Sequence, residues 1–364
     1  LRHLDEYRDG RAVEGLLRRI ADAAKDGGPL AFMEVCGTHT MARAKYGLGR
    51  LLPQSVRLIS GPGCPVCVTP NSYVDRAVAM SRRDDCIVAT FGDMFRVPGS
   101  TSSLSSEKSE GADVRVVYSP TESLDIARKN PARKVVFLGV GFETTAPTVA
   151  ATILAAESSR LANWFVLSGH KTIPRVMGML ANSEELQVDG FICPGHVSAV
   201  IGSKSYERIA GDFQVPCVVA GFEPTDILQA IWMLIRQKRE KRSAVLNQYT
   251  RVVEESGNEK AVSTMMTVFE TADSSWRGIG TVPESGLSIR DSFAQFDAER
   301  RIDVDVEKTR EYPGCICGEI LRGVRTPPDC SLFGNECTPA YPRGACMVSS
   351  EGTCAAYYKY EGVR

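Results

Sequence analysis

Residues 31–70 read AFMEVCGTHTMARAKYGLGRLLPQSVRLISGPGCPVCVTP, and two short apolar runs in this stretch each end in a glycine-punctuated cysteine motif. The first run, residues 30–35, has the length of a buried strand. CGTHTMARAKYG follows it, with Thr38 as the expected N-cap of a short helix, so Cys36 falls at a strand's carboxyl end. The second run, residues 56–60, breaks at Gly61-Pro62-Gly63 and delivers Cys64 and Cys67 in a CxxC on a tight loop. Backbone N–H groups at a turn or helix start offer positive partial charge to sulfur and favour thiolate. Reactive or metal-binding sulfur is the reading these three thiols suggest.

Outward from this stretch, apolar runs alternate with helical patterns. LAFMEV, VRLIS, CIVATF and VRVVY are separated by segments such as SYVDRAVAMSRR and TESLDIARKN, the signature of βαβ units with a parallel sheet. A second α/β unit begins near residue 134. Its four runs share one grammar, an apolar run, a glycine, a polar cluster and a helical pattern. That places Glu143, His170, Cys193, His196 and Glu223 near strand carboxyl ends, where open α/β sheets bind ligands. GFE occurs twice, ending at Glu143 and Glu223. Cys86 and Cys217 lie inside apolar runs and read as core thiols. The predicted class is α/β, with two parallel-sheet domains over 1–130 and 131–250 and a cysteine-rich iron–sulfur region over 251–364.

Three further segments carry simple expectations. Residues 1–27 read as one helix with apolar Leu4, Val13, Leu16, Leu17 and Ile20. The serine-rich 100–110 reads as a mobile loop. Residues 227–255 read as a long amphipathic helix whose basic RQKREKR patch is a solvated face rather than a docking surface.

Composition excludes several function classes. A net charge of −1 over 364 residues, without an arginine-rich stripe, argues against nucleic-acid binding. The first residues are charged rather than signal-like, and the most apolar stretch, 135–156, is interrupted by Glu143, Thr144, Thr145 and Pro147, so a cytosolic protein is expected. In that compartment 12 cysteines point to metal or redox chemistry rather than a disulfide framework. GVGFETTAP lacks the lysine of a P-loop.

Six cysteines crowd the region 315–354. Cys330, Cys337, Cys346 and Cys354 follow one another at seven, nine and eight residues, without paired CxxC knuckles or histidines. An iron–sulfur cluster, which takes four thiolates at varied spacing, suits this better than a zinc ribbon. Cys315 or Cys317 is a candidate to replace one ligand. Zinc-stabilised binding scaffold and stand-alone thiol–disulfide oxidoreductase are the alternative readings.

CGTHTM, SGPGCPVCVTP, GVGFETTAPT, CPGHVSAVIG, VVAGFEPTDIL and CMVSSEGTCAAYYKY together resemble the HypD family of hydrogenase maturation factors, from about residue 34 to residue 360. The resemblance implies a redox-active scaffold, rather than a conventional turnover enzyme, that helps assemble the Fe(CN)2CO unit of NiFe hydrogenases. Its implied partners are HypC, which shares the iron, and HypE, which supplies cyanide. Mapped onto this chain, Cys36 would be the iron ligand and His39 a neighbouring ligand or proton donor. Cys64 and Cys67 would cycle between dithiol and disulfide. The [4Fe-4S] cluster on Cys330, Cys337, Cys346 and Cys354 would exchange electrons with that pair, in an environment like that of ferredoxin:thioredoxin reductase.

Overall fold

Eleven strands among the described residues, 5–25 and 27–362 of a computed structural model, organise the molecule. In chain order they are β1 Leu30–Glu34, β2 Val56–Ser60, β3 Cys86–Thr90, β4 Val114–Val116, β5 Lys134–Gly139, β6 Trp164–Ser168, β7 Gly190–Pro194, β8 Cys217–Ala220, β9 Val245–Asn247, β10 Phe269–Trp276 and β11 Gly280–Ile289. One sheet has the order β2-β1-β7-β8-β9 and a second β4-β3-β5-β6, with every pairing parallel. β10 and β11 form an antiparallel hairpin. The α/β class with parallel sheets is as expected.

Sheet membership crosses the expected boundary at residue 130. β7, β8 and β9 join β1 and β2, while β5 and β6 join β3 and β4. Every residue of β3, β7 and β8 is buried. Strands covered on both faces read as unbroken apolar runs, and such runs do not encode which neighbour they pair with. The segment after 251 also divides: Met265, Val268, Phe269, Leu287 and Ile289 share a core with Ile87, Val135 and Phe137 of the second sheet. Cys317, Cys337, Cys346 and Cys354 belong to another core, which they share with residues of both sheets, among them Met33, Ile59, Val136 and Phe191.

Local differences from the expectations have local causes. At the N-terminal end a 3-10 turn, Asp5–Arg8, precedes helix Gly10–Ala24, whose N-cap Asp9 accepts from the Ala12 amide; Leu4 lies outside the described residues. The serine-rich stretch contains a helix, Leu104–Ser109. Ser103 caps it, Leu104 anchors it in the core, and buried Glu107 takes a bidentate contact from Arg82. The long helix stops at Arg239, where Lys241 turns to φ 51° and the Arg242 amide returns to the Gln237 carbonyl, and the chain then adds β9 to the sheet edge.

The basic patch on that helix is a solvated face, as expected, with Arg236, Arg239, Lys241 and Arg242 exposed, and part of it also makes local contacts. Arg239 hydrogen-bonds the last carbonyls of helix Gly10–Ala24, Lys238 pairs with Asp189 and Arg236 with Glu240. Among the described residues, no helix is long and apolar enough to cross a membrane.

Candidate thiol and metal site

The strand order of each sheet reverses once, between β1 and β7 and between β3 and β5. Ligands of open α/β sheets gather at the carboxyl ends beside such reversals. Cys36 follows β1, His196 follows β7 and Phe142 and Thr144 follow β5. All four line one cavity of about 140 Å³, together with Thr38 and Glu351. The two sheets thus turn their reversal points toward a common space.

Cys36 is the N-cap of helix Gly37–Tyr46, in the position expected of Thr38, and makes no side-chain capping bond. Thr38 instead donates from its hydroxyl to Glu351 at 2.7 Å. Two glycines allow this arrangement. A Cβ on Gly63 would stand 2.2 Å from the Cys36 nitrogen, so only glycine lets the Gly61-Pro62-Gly63 loop lie over Cys36. A Cβ on Gly37 would stand 2.5 Å from the Glu351 carbonyl oxygen, blocking the approach of the C-terminal segment.

The Cys36 thiol is pushed up to about 12 by burial first and by the Glu351 charge second. The His39 and Thr38 amides and the Thr38 side chain pull the other way and are outweighed. The helix-start argument for a thiolate is therefore overridden by desolvation.

His39 does not line the cavity. It is fully buried, its Nε2 donates to the Gly221 carbonyl at 2.9 Å, and its ring lies 4.8 Å from Phe222. Burial lowers it to about 4, so it is neutral at pH 7. Phe222 carries His196 on a stacked contact at 4.1 Å, and it is His196 that faces the cavity. Burial lowers His196 while the Glu351 charge opposes that shift.

The other strand-end residues are supports. Glu143 accepts from the Ile173 amide at the start of helix Ile173–Ala181, and burial lifts its carboxyl to about 7. His170 is buried against Ser168 and Phe269 and lowered to about 3 by burial. Glu223 caps helix Pro224–Arg239 and pairs with Arg8. Cys86, Cys193 and Cys217 are fully buried in β3, β7 and β8.

Cys64 and Cys67 are joined as a disulfide, their Cα atoms 5.3 Å apart. Cys64 is the N-cap and Cys67 the third residue of the four-residue helix Pro65–Val68. Pro65 lines the Cys36 cavity, and the Cys67 sulfur lies 4.0 Å from the Ala345 carbonyl oxygen. The disulfide therefore stands between the cavity and the C-terminal cysteines.

Those six, Cys315, Cys317, Cys330, Cys337, Cys346 and Cys354, all line a second, small cavity of about 10 Å³. Cys317 Sγ is 2.9 Å from Cys346 Sγ, and both are buried; Cys315 and Cys330 are half-buried. Cys354 is influenced by Cys317, Cys337, Cys315 and Cys330, and Cys346 by Cys354 and Cys315, which marks all six thiols as one neighbourhood. Among the described residues, no group of three or more His, Cys, Asp or Glu side chains stands in a metal-holding arrangement. The donor set nevertheless fits an iron–sulfur cluster in kind and number: at least four thiols converge, no histidine or carboxylate lines the cavity, and its walls are otherwise apolar.

One segment ties these places together. Residues 345–356 begin beside Cys67, present Cys346 to the thiol cavity and Glu351 to Cys36, and return Cys354 to the thiols. Gly352 permits the return, since a Cβ there would stand 2.1 Å from the Cys346 carbonyl oxygen. Glu351 was not among the residues singled out from the sequence; its position in SSEGTC, between two cysteines, was the available signal.

Parallel α/β sheets that converge on a buried thiol, beside a disulfide and a cavity lined by six more thiols, define a thiol-rich α/β protein. The family described as "HypD: Hydrogenase formation hypA family" matches residues 11–361. The chain is 48% identical to the hydrogenase maturation factor HypD of Azotobacter vinelandii, over 99% of this chain and 97% of that protein. It is 46% identical to HypD2 of Bradyrhizobium diazoefficiens over 99% and 97%, and 45% identical to HypD of Escherichia coli K12 over 99% and 98%. The chain belongs to the HypD family of hydrogenase maturation factors.

Proposed function

We propose that the protein is the scaffold on which a HypC-type chaperone and a HypE-type cyanide donor build the Fe(CN)2CO unit of NiFe hydrogenases, in the cytoplasm. The observation that carries this reading is the single segment 345–356 in contact with the Cys36 cavity, the Cys64–Cys67 disulfide and the thiol cavity. A scaffold that must coordinate an iron and move electrons needs those three functions side by side.

Cys36 serves as thiolate ligand to the incoming iron, which is cargo, and the iron's charge offsets the burial that otherwise keeps the thiol protonated. His196, facing the same cavity, is better placed than His39 to hold or pass a proton there; His39 buttresses the loop after β8. Cys64 and Cys67 store two electrons: their S–S bond takes up two electrons and two protons to give two thiols.

A [4Fe-4S] cluster in the thiol cavity supplies electrons one at a time when bound. Cys330, Cys337, Cys346 and Cys354 are its ligands in this reading, and Cys317, which contacts both Cys346 and Cys315, and Cys315 itself are the candidates to replace one of them.

Cys36→Ala tests the core of this reading. Infrared bands of iron-bound cyanide and carbonyl should be lost from the purified complex with the HypC-type partner, while iron and sulfide bound by the C-terminal cysteines stay at the wild-type level. Wild-type bands in that variant would remove Cys36 from the assembly.

A further inference from the structure

The β10–β11 hairpin places an arginine between the disulfide helix and the thiol cavity. Arg277 follows β10, and its side chain is 2% exposed. Its amide donates to the Val68 carbonyl at 2.8 Å and its Nε to the Thr69 carbonyl at 3.0 Å, the two residues that follow Cys67 in the chain. Its Nη1 pairs with Glu311 at 2.7 Å. Among the described residues, its buried Nη2 has no hydrogen-bond partner.

The next residue locks the other side. Gly278 has φ 69°, and a Cβ there would stand 2.0 Å from the Cα of Gly318, the neighbour of Cys317. Arg322 donates to the Gly278 carbonyl. The hairpin tip is thus wedged against the end of helix Pro65–Val68 and the start of helix Cys317–Leu321.

The charge at this wedge is only partly balanced. Glu311, its one carboxylate partner among the described residues, is half-exposed, so water screens that side of the pair more than the buried side. The guanidinium is anchored on the carbonyl of Thr69, two residues past Cys67, with its free Nη2 edge buried. A buried arginine with one free N–H edge so near a disulfide in the chain is suited to a site that gains negative charge.

We propose that Arg277 is a positioning residue of the thiol relay: it fastens the Cys64–Cys67 helix to the thiol cavity and holds a buried positive charge that favours the reduced state of the disulfide. The proposal rests on the reading of Cys64 and Cys67 as a redox pair. Reduction breaks their S–S bond and adds two electrons and two protons, drawn in the test from dithiothreitol, which closes into its cyclic disulfide. Any thiolate character in the product is stabilised by a nearby cation, so loss of that cation makes the disulfide harder to reduce.

The test is equilibration of full-length protein with mixtures of reduced and oxidised dithiothreitol, the state of Cys64 and Cys67 being read by differential alkylation and mass spectrometry. Arg277→Gln should need about tenfold more reducing mixtures for half-reduction, about 30 mV for a two-electron couple. Arg277→Lys should fall close to wild type, because it keeps the charge while losing the fork. Glu311→Gln, a change at a half-exposed side chain, should shift the midpoint in the opposite direction.

A Glu311→Gln midpoint equal to wild type, or an Arg277→Lys midpoint as displaced as that of Arg277→Gln, would overturn the electrostatic role even if Arg277→Gln itself folds poorly. A wild-type disulfide that does not titrate reversibly would overturn the relay reading and this proposal together. A wild type that titrates, with variants that coincide with it, would overturn this proposal alone.

Discussion

The two sulfur sites are built on opposite plans. The Cys36 cavity sits at strand carboxyl ends, has about 140 Å³ of space, and mixes one thiol with a histidine, a carboxylate and hydroxyls. The C-terminal cavity is assembled from loops and helices of five residues or fewer, is walled by six thiols and apolar side chains, and has about 10 Å³. A rigid sheet edge with polar groups suits a site that admits and releases cargo. A small shell of thiols and apolar side chains suits a resident group.

The sharpest break between them is metal content. Cys354→Ala and Cys346→Ala should each lose most of the bound iron and sulfide after anaerobic purification, whereas Cys315→Ala should keep them. Retention in Cys346→Ala with loss in Cys315→Ala would put Cys315 in the place of Cys346. Tightly held zinc without sulfide in the wild type would turn the shell into a structural staple.

A smaller effect is expected where the two plans meet, at Glu351. Its carboxylate is the second cause, after burial, of the raised Cys36 thiol. In Glu351→Gln the thiolate fraction of Cys36 should rise, and its alkylation at pH 8 in metal-free protein should speed up by roughly threefold to tenfold, as a drop of half to one pH unit implies. An unchanged rate would show that Glu351 acts on Cys36 only through Thr38 and packing.

The smallest effect concerns the scaffold behind the cavity. Buried Glu143 has its carboxyl raised from 4.5 to about 7, so the folded state binds its proton more tightly than the unfolded state. Its contribution is fully present below pH 4.5 and is lost as pH rises through about 7, worth at most about 3 kcal/mol. Glu143→Gln keeps an acceptor for the Ile173 amide and should flatten that part of the stability–pH curve, measured by denaturant unfolding between pH 4.5 and 8. An identical curve in the variant would place the pH dependence elsewhere.

Much of this was legible in the chain. The strands β1 to β8 fall where the apolar runs stand, and the residues after them lie at carboxyl ends, because a buried strand needs a short β-branched run and a glycine to leave it. What escaped was set by contacts distant in sequence. Ser103 and Leu104 make a helix in what reads as a loop because Leu104 has a core to enter. His39 and His196 look alike as lone histidines near strand ends; only the stack through Phe222 distinguishes the buttress from the cavity wall.

By itself the sequence determined the class and the positions of most strands and singled out the cysteines, because periodicity and side-chain type are local properties. The tertiary structure alone decided that β7 pairs with β1 and β5 with β3, and so that Cys36, His196, Phe142 and Glu351 share one cavity. Strands buried on both faces carry no mark of their neighbour's identity, so strand order is set by how helices and loops close over the sheets. The same closure brought residues 345–356 from the far end of the chain onto Cys36 and Cys67, through contacts at Gly37 and Ala345 that no local pattern encodes.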